Sequence, residues 1–231
     1  MIQAILFDIE GTLTNLDSVK FTQNYLGILA PRFAHILSPD KFSKQLLKSM
    51  ENVQKEPKPE LTVMQAFFED FSKATGQSVQ ILKPIFKEFY TSDFPALRCL
   101  VQPNPLGVKV VVNAIQQGFL TAIVTDPLMP LITIQEQVRW TGLTPEQFKV
   151  IATIDNYHYC KPHLGFFKEV AEKLGVRSQS CLLVSTNIND MVCQELGMKT
   201  FLVGSPIESE VRTDYAGQLD DLSRLISQGS L

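Results

Sequence analysis

Asp8 and Glu10 stand two residues apart at the end of the apolar run Ile2 to Phe7, and Gly11 follows directly. Two carboxylates so placed suit an aspartate nucleophile with an acid or base beside it. The run contains β-branched and aromatic residues and is too short for a useful helix, so it reads as a buried parallel strand. Asp8 then lies at the strand's carboxyl end, where open α/β sheets bind their ligands. Alternation along an extended chain points Asp8 and Glu10 the same way.

Other polar and charged residues follow other strand-like runs. Thr125 and Asp126 follow Thr121 to Val124, and Lys161 follows Val150 to Ile154 after a loop. Asn187 to Asp190 follow Cys181 to Val184, and a further run spans Lys199 to Val203. Between these runs, Leu131 to Trp140, Leu164 to Leu174 and Asp190 to Leu196 repeat apolar residues every three or four positions, as amphipathic helices do. Val108 to Gln117, closed by Gly118, is the helix feeding the Thr121 strand. Strand and helix in alternation imply an α/β fold with a parallel sheet covered on both faces. In such a sheet the strand ends share one edge, so residues remote in sequence converge there.

The stretch from Leu16 to Leu97 has a different texture. It holds no strong strand, but Lys41 to Val53, Thr62 to Thr75 and Val79 to Phe89 are patterned as helices, the first two separated by Lys55-Glu56-Pro57-Lys58-Pro59. This predicts a smaller all-helical unit, residues 16–97, inserted after the first strand into a core made of residues 1–15 and 98–231. Leaving from the loop after Asp8, it would sit above that residue. Pro95, Pro103 and Pro105 mark the return crossing, and Ser227 to Ser230 read as a frayed end.

Composition narrows the function. The chain has 231 residues, 45% hydrophobic and 19% charged, enough for one core plus a smaller appendage. A net charge of −3 without basic blocks argues against nucleic acid or an anionic membrane surface as partner. No apolar run approaches the roughly 20 residues of a membrane helix. Cys99, Cys160, Cys181 and Cys193 form no paired motif and read as reduced thiols, and no signal peptide precedes the first strand; the expectation is a cytoplasmic protein. His35, His158 and His163 lack zinc-site spacing.

The arrangement resembles the haloacid dehalogenase superfamily of aspartate-nucleophile hydrolases, most of which are phosphatases. The matching stretches are Ile2 to Thr14 and Gly107 to Gly204: Asp8-Ile9-Glu10-Gly11-Thr12 for the first motif, Ala122-Ile123-Val124-Thr125 for the second and Cys160-Lys161-Pro162 for the third. The resemblance implies a Rossmann-like core, a helical cap and a phosphoaspartyl mechanism. Asp8 would be the nucleophile, Lys161 a fixed cation beside it, and Thr125 a hydroxyl donor to the phosphoryl oxygens. Glu10 would protonate the leaving oxygen and then activate water. Ile9, Gly11, Thr125, Asp126 and Lys161 would contact the phosphate, although Asp126 by itself reads as a loop or cap residue. Mg²⁺ would be held by Asp8, the Glu10 carbonyl and the fourth-motif residues Asn187 and Asp190. The partner implied is a small phosphorylated metabolite.

Two departures qualify that reading. Glu10 replaces an aspartate and extends the acid by about 1.5 Å, as the enolase-phosphatase branch of the superfamily also does. Val184-Ser185-Thr186-Asn187-Ile188-Asn189-Asp190 puts serine at the usual glycine and a neutral threonine at the usual first acid. Weakened Mg²⁺ affinity follows. The alternatives are a fold member with reduced or lost turnover that serves as a binding or regulatory protein, and a hydrolase displacing halide from carbon.

Overall fold

A computed structural model describes residues 1–204 and 212–231. Among the described residues six strands form one sheet: β1 (Ala4–Phe7), β4 (Leu120–Ile123), β5 (Val150–Ile151), β6 (Cys181–Ser185), β7 (Lys199–Val203) and β8 (Tyr215–Gly217). Their order is β5-β4-β1-β6-β7-β8, and each neighbouring pair runs parallel. The fold is α/β and Rossmann-like. β1 sits near the middle, in register with Leu120 to Ile123 on one side and Cys181 to Val184 on the other.

Alternation along β1 divides the core into two layers. Ile5 and Phe7 join Val110, Val111 and Ala114 of α5 (Pro105–Gln116), Ile134 and Val138 of α6 (Leu131–Trp140), and Leu222 and Ile226 of α8 (Leu219–Gln228). Ala4 and Leu6 face Phe166, Phe167 and Val170 of α7 (Leu164–Leu174) and Met191 and Cys193 of the 3-10 helix Ile188–Leu196. Each face of the sheet is therefore sealed by apolar side chains, so polar groups gather at its carboxyl edge.

The chain leaves the sheet through β2 (Thr14–Asn15) and returns through β3 (Gln102–Pro103), which pair antiparallel. Between them lie α1 (Ser18–Leu29), α2 (Pro39–Lys55), α3 (Val63–Thr75) and α4 (Val79–Ser92), with 3-10 turns at Ala30–Phe33 and Phe94–Leu100. These helices share a phenylalanine-rich core in which Phe33, Phe42, Phe71 and Phe89 are fully buried. Thr62 caps α3 reciprocally with Gln65. The helical layer is tied directly to the sheet domain. Val63 N–H donates to the Tyr157 carbonyl at 2.7 Å and Met64 N–H to that of Ile154 at 2.9 Å, while Phe94 stacks on Trp140.

Several local expectations change. β5 is shorter than Val150 to Ile154, because Ile154 turns toward the helical layer: its N–H donates to Met129 and its carbonyl accepts from Met64. Ser227 and Gln228 belong to α8 rather than to a frayed end, and Gly229 closes that helix with φ +65°. The helix expected from Asp190 begins at Ile188 and is of 3-10 type, capped by Asn187.

Candidate active site

Loops at the carboxyl ends of β1, β4, β5 and β6 enclose a cleft of about 500 Å³. Asp8, Glu10, Thr125, Asp126, Lys161, Thr186 and Asn187 line it, and Gln54 of α2 reaches it from the helical layer. Lys161 is the one cationic side chain lining the cleft among the described residues.

Lys161 organises the charges. Its Nζ lies 2.7 Å from Asp8 Oδ2 and 2.7 Å from Asp190 Oδ2, with all three residues buried. Burial alone would lower the ammonium's pKa, but the two carboxylates outweigh it and hold Lys161 charged above its ordinary range. Ile9 N–H donates to Asp8 Oδ1 at 2.8 Å, so both carboxylate oxygens are fixed in orientation. Ser185 Oγ donates to Asp190 Oδ2 at 2.7 Å and itself accepts the Asn187 N–H at 3.0 Å. The serine at the usual glycine position thus helps to satisfy a carboxylate with no solvent exposure.

Glu10 holds its carboxyl in the same cleft, where Ser18 Oγ donates to Oε2 at 3.2 Å. Glu10 is an exposed residue overall, but partial desolvation at the cleft wall raises its carboxyl pKa, the Asp8 charge adds to the rise, and Ser18 and Lys161 oppose it. A carboxyl kept toward neutrality suits a proton donor. Asp126 is pushed up to about 6, chiefly by burial, against the pull of Lys161 and of Gln54. Its Oδ2 accepts from Gln54 Nε2 and its Oδ1 from Lys161 N–H, so its side chain links the helical layer to the lysine loop.

Three expected contacts are arranged differently. The backbone cradle at Ile9 and Gly11 is already engaged, since Ile9 N–H serves Asp8 and Gly11 N–H donates to the Thr14 carbonyl at 2.9 Å. Gly11 has φ +71°, and a Cβ there would meet Thr186 Oγ1 at 2.7 Å, so its role is to let Thr186 pack against the turn. Asn187 Oδ1 accepts the Asn189 N–H and caps the 3-10 helix, which leaves it one lone pair with which to reach an ion in the cleft it lines. Asp126 enters as a carboxylate braced by Gln54, an anion among groups expected to hold an anion. Gln54 and Ser185 had no assigned role in the sequence. Only the replacement at the usual glycine marked Ser185, and nothing local marked Gln54.

The donor set can be tested against Mg²⁺. Asp190 Oδ1 is buried with no hydrogen-bond partner among the described residues, so it can accept from a cation or a donor. Asp8 supplies a second carboxylate and Glu10 a carbonyl, to which Thr186 Oγ1 donates a long bond of 3.4 Å. Among the described residues no three His, Cys, Asp or Glu side chains are grouped for a metal. Two carboxylates and a carbonyl fit an ion that keeps several waters and takes further ligands from a substrate phosphate. They do not make a tight site in its absence, since Lys161 already offsets one of the two negative charges and binds an oxygen of each acid.

No family model matches the chain. It is 26% identical over 203 residues to a pyrophosphatase, PpaX, of Bacillus cereus strain AH820, covering 87% of this chain and 83% of that protein. Its fold is similar to that of a HAD phosphatase from Thermococcus onnurineus, with a TM-score of 0.62 and 18% identity over 97% of this chain and 98% of the other. It is also similar to the L-2-haloacid dehalogenase of Xanthobacter autotrophicus, with a TM-score of 0.56 and 17% identity over 98% and 99% of the two chains.

Proposed function

We propose that this chain, a haloacid dehalogenase superfamily hydrolase in fold and in the order of its motifs, is a phosphomonoesterase that acts on a small phosphorylated metabolite through phospho-Asp8. The observation that carries the reading is Asp8, fixed at a strand end by Ile9 N–H and Lys161, with the Glu10 carboxyl in the same cleft. The phosphatase-type relatives support the phosphoryl class.

In the first half-reaction an Asp8 oxygen bonds to phosphorus as the ester oxygen departs, taking a proton from Glu10. Lys161 balances the negative charge on the phosphoryl oxygens, and the Thr125 hydroxyl donates to one of them. In the second, Glu10 takes a proton from water, which attacks phosphorus and frees Asp8. Glu10 ends each cycle protonated again. Mg²⁺, held by Asp8, the Glu10 carbonyl and Asp190, would supply additional charge neutralisation when it is bound with the phosphate.

A second reading is favoured by Ser185 and Thr186, which replace the glycine and the acid of the fourth motif. Displacement of halide from carbon by Asp8 needs neither a divalent ion nor the Glu10 acid. A panel of phosphomonoesters and 2-chloropropionate, run with and without Mg²⁺, separates the two. The proposal expects phosphate release that rises with Mg²⁺ into the millimolar range and vanishes in Asp8→Asn. Halide release without phosphate release would replace it with the second reading.

A further inference from the structure

A second cavity, of about 680 Å³, opens between α3, α4 and the first turn of α6. Its volume falls within the roughly 300–1,000 Å³ of small-ligand sites. It shares no lining residue with the Asp8 cleft, and the reaction described above makes no use of it.

Its walls are apolar. Phe67 and Phe68 come from α3, Phe86 and Tyr90 from α4, and Leu131 and Ile132 from α6. Leu131 and Ile132 are 40% and 43% exposed, so the aromatic floor continues into an uncovered aliphatic rim. An apolar ligand lying there would remove that surface from water.

The rim also carries charge. Lys83 and Lys87 line the cavity four residues apart on α4, which puts them on one face of the helix. Neither forms a salt bridge among the described residues. Two like charges at this spacing repel each other mildly, and an anion between them would relieve that repulsion. Among the described residues the one acid in the lining is Asp155. Its Oδ2 accepts the Leu131 N–H at 2.8 Å, at the amino end of α6, where a negative charge belongs. The cavity therefore joins an apolar floor to a cationic rim.

We propose that this cavity binds an amphipathic monoanion, of which a medium-chain carboxylate is the simplest member. The chain lies over Phe67, Phe68 and Phe86, and the head group lies between Lys83 and Lys87. Because the walls come from both the helical layer and the sheet domain, the ligand bridges the two.

The test is calorimetric titration of the full chain with decanoate below its micelle threshold, beside decanol, decylamine and inorganic phosphate. Decanoate is expected to bind saturably at one site, decanol more weakly and decylamine not measurably, while inorganic phosphate, which the Asp8 cleft would take, is expected not to compete with decanoate. Lys83→Ala combined with Lys87→Ala should weaken decanoate by about tenfold, leave decanol unchanged and leave the melting curve in place, since both lysines are exposed. Asp8→Asn should not alter decanoate binding. Equal binding of decylamine and decanoate, an unchanged decanoate affinity in the lysine variant, or loss of binding in Asp8→Asn would each overturn the proposal.

Discussion

Lys161 sets the charge balance of the cleft, because one ammonium answers two buried carboxylates. Replacing it by methionine keeps its bulk but leaves Asp8 and Asp190 facing each other uncompensated. Lys161→Met is expected to cost about 3–5 kcal/mol in urea unfolding at pH 7, and to lose turnover as well. Asp126 behaves in the opposite sense. Its folded pKa, about 6, lies above the ordinary aspartate value, so the folded state holds that proton more tightly than the unfolded state does. This group's contribution is most favourable below pH 4 and is lost as pH rises toward 6. Asp126→Asn should match the parent's stability at low pH and exceed it above pH 6, by about 3 kcal/mol at most; melting curves across pH 3.5 to 8 read the difference. Asp8 and Lys161 were legible in the sequence because each follows a strand-like run in an ordered set. The partners that brace them were not. Gln54 acts through a contact with Asp126 made across 72 residues of chain, which no local pattern records, and the bond from Ser185 to Asp190, though only five residues apart, depends on how the loop after the strand folds back.

At the scale of elements, the loop bearing Asp8 is pressed against the start of α5. A Cβ on Gly107 would come within 2.2 Å of the Thr12 carbonyl oxygen, a backbone atom that cannot step aside alone. Gly27 of α1, by contrast, has nothing within 4 Å of the same position. Gly107→Ala should therefore lower both melting temperature and turnover, while Gly27→Ala should raise stability by about 1 kcal/mol or less and spare activity. Thermal melts and initial rates on the pair measure it. Most helices and strands were legible from periodicity, since alternation and three-to-four spacing record which side faces the core. The β2–β3 ribbon was not, because two-residue strands carry no period. The early end of β5 is a tertiary effect, set by the hydrogen bonds that Ile154 N–H donates to the Met129 carbonyl and that Met64 N–H donates to the Ile154 carbonyl.

In the molecule as a whole, a helical layer sits on the sheet domain through a seam of specific links. Val63 and Met64 donate to core carbonyls, Gln54 meets Asp126, and Phe94 stacks on Trp140. A swing of the layer that opens the cleft must break several of these. The change of texture after Leu16 made the helical stretch legible, but the seam joins side chains and backbone from distant segments and left no mark in the sequence. No helix among the described residues is long and apolar enough to cross a membrane. Asp8 is proposed to carry the phosphoryl group, and rapid acid quench during turnover followed by peptide mass spectrometry tests this. One added phosphoryl group is expected on the peptide containing Asp8, absent from Asp8→Asn. Phosphate release that continues in Asp8→Asn, or parent turnover with that peptide never modified, would contradict it.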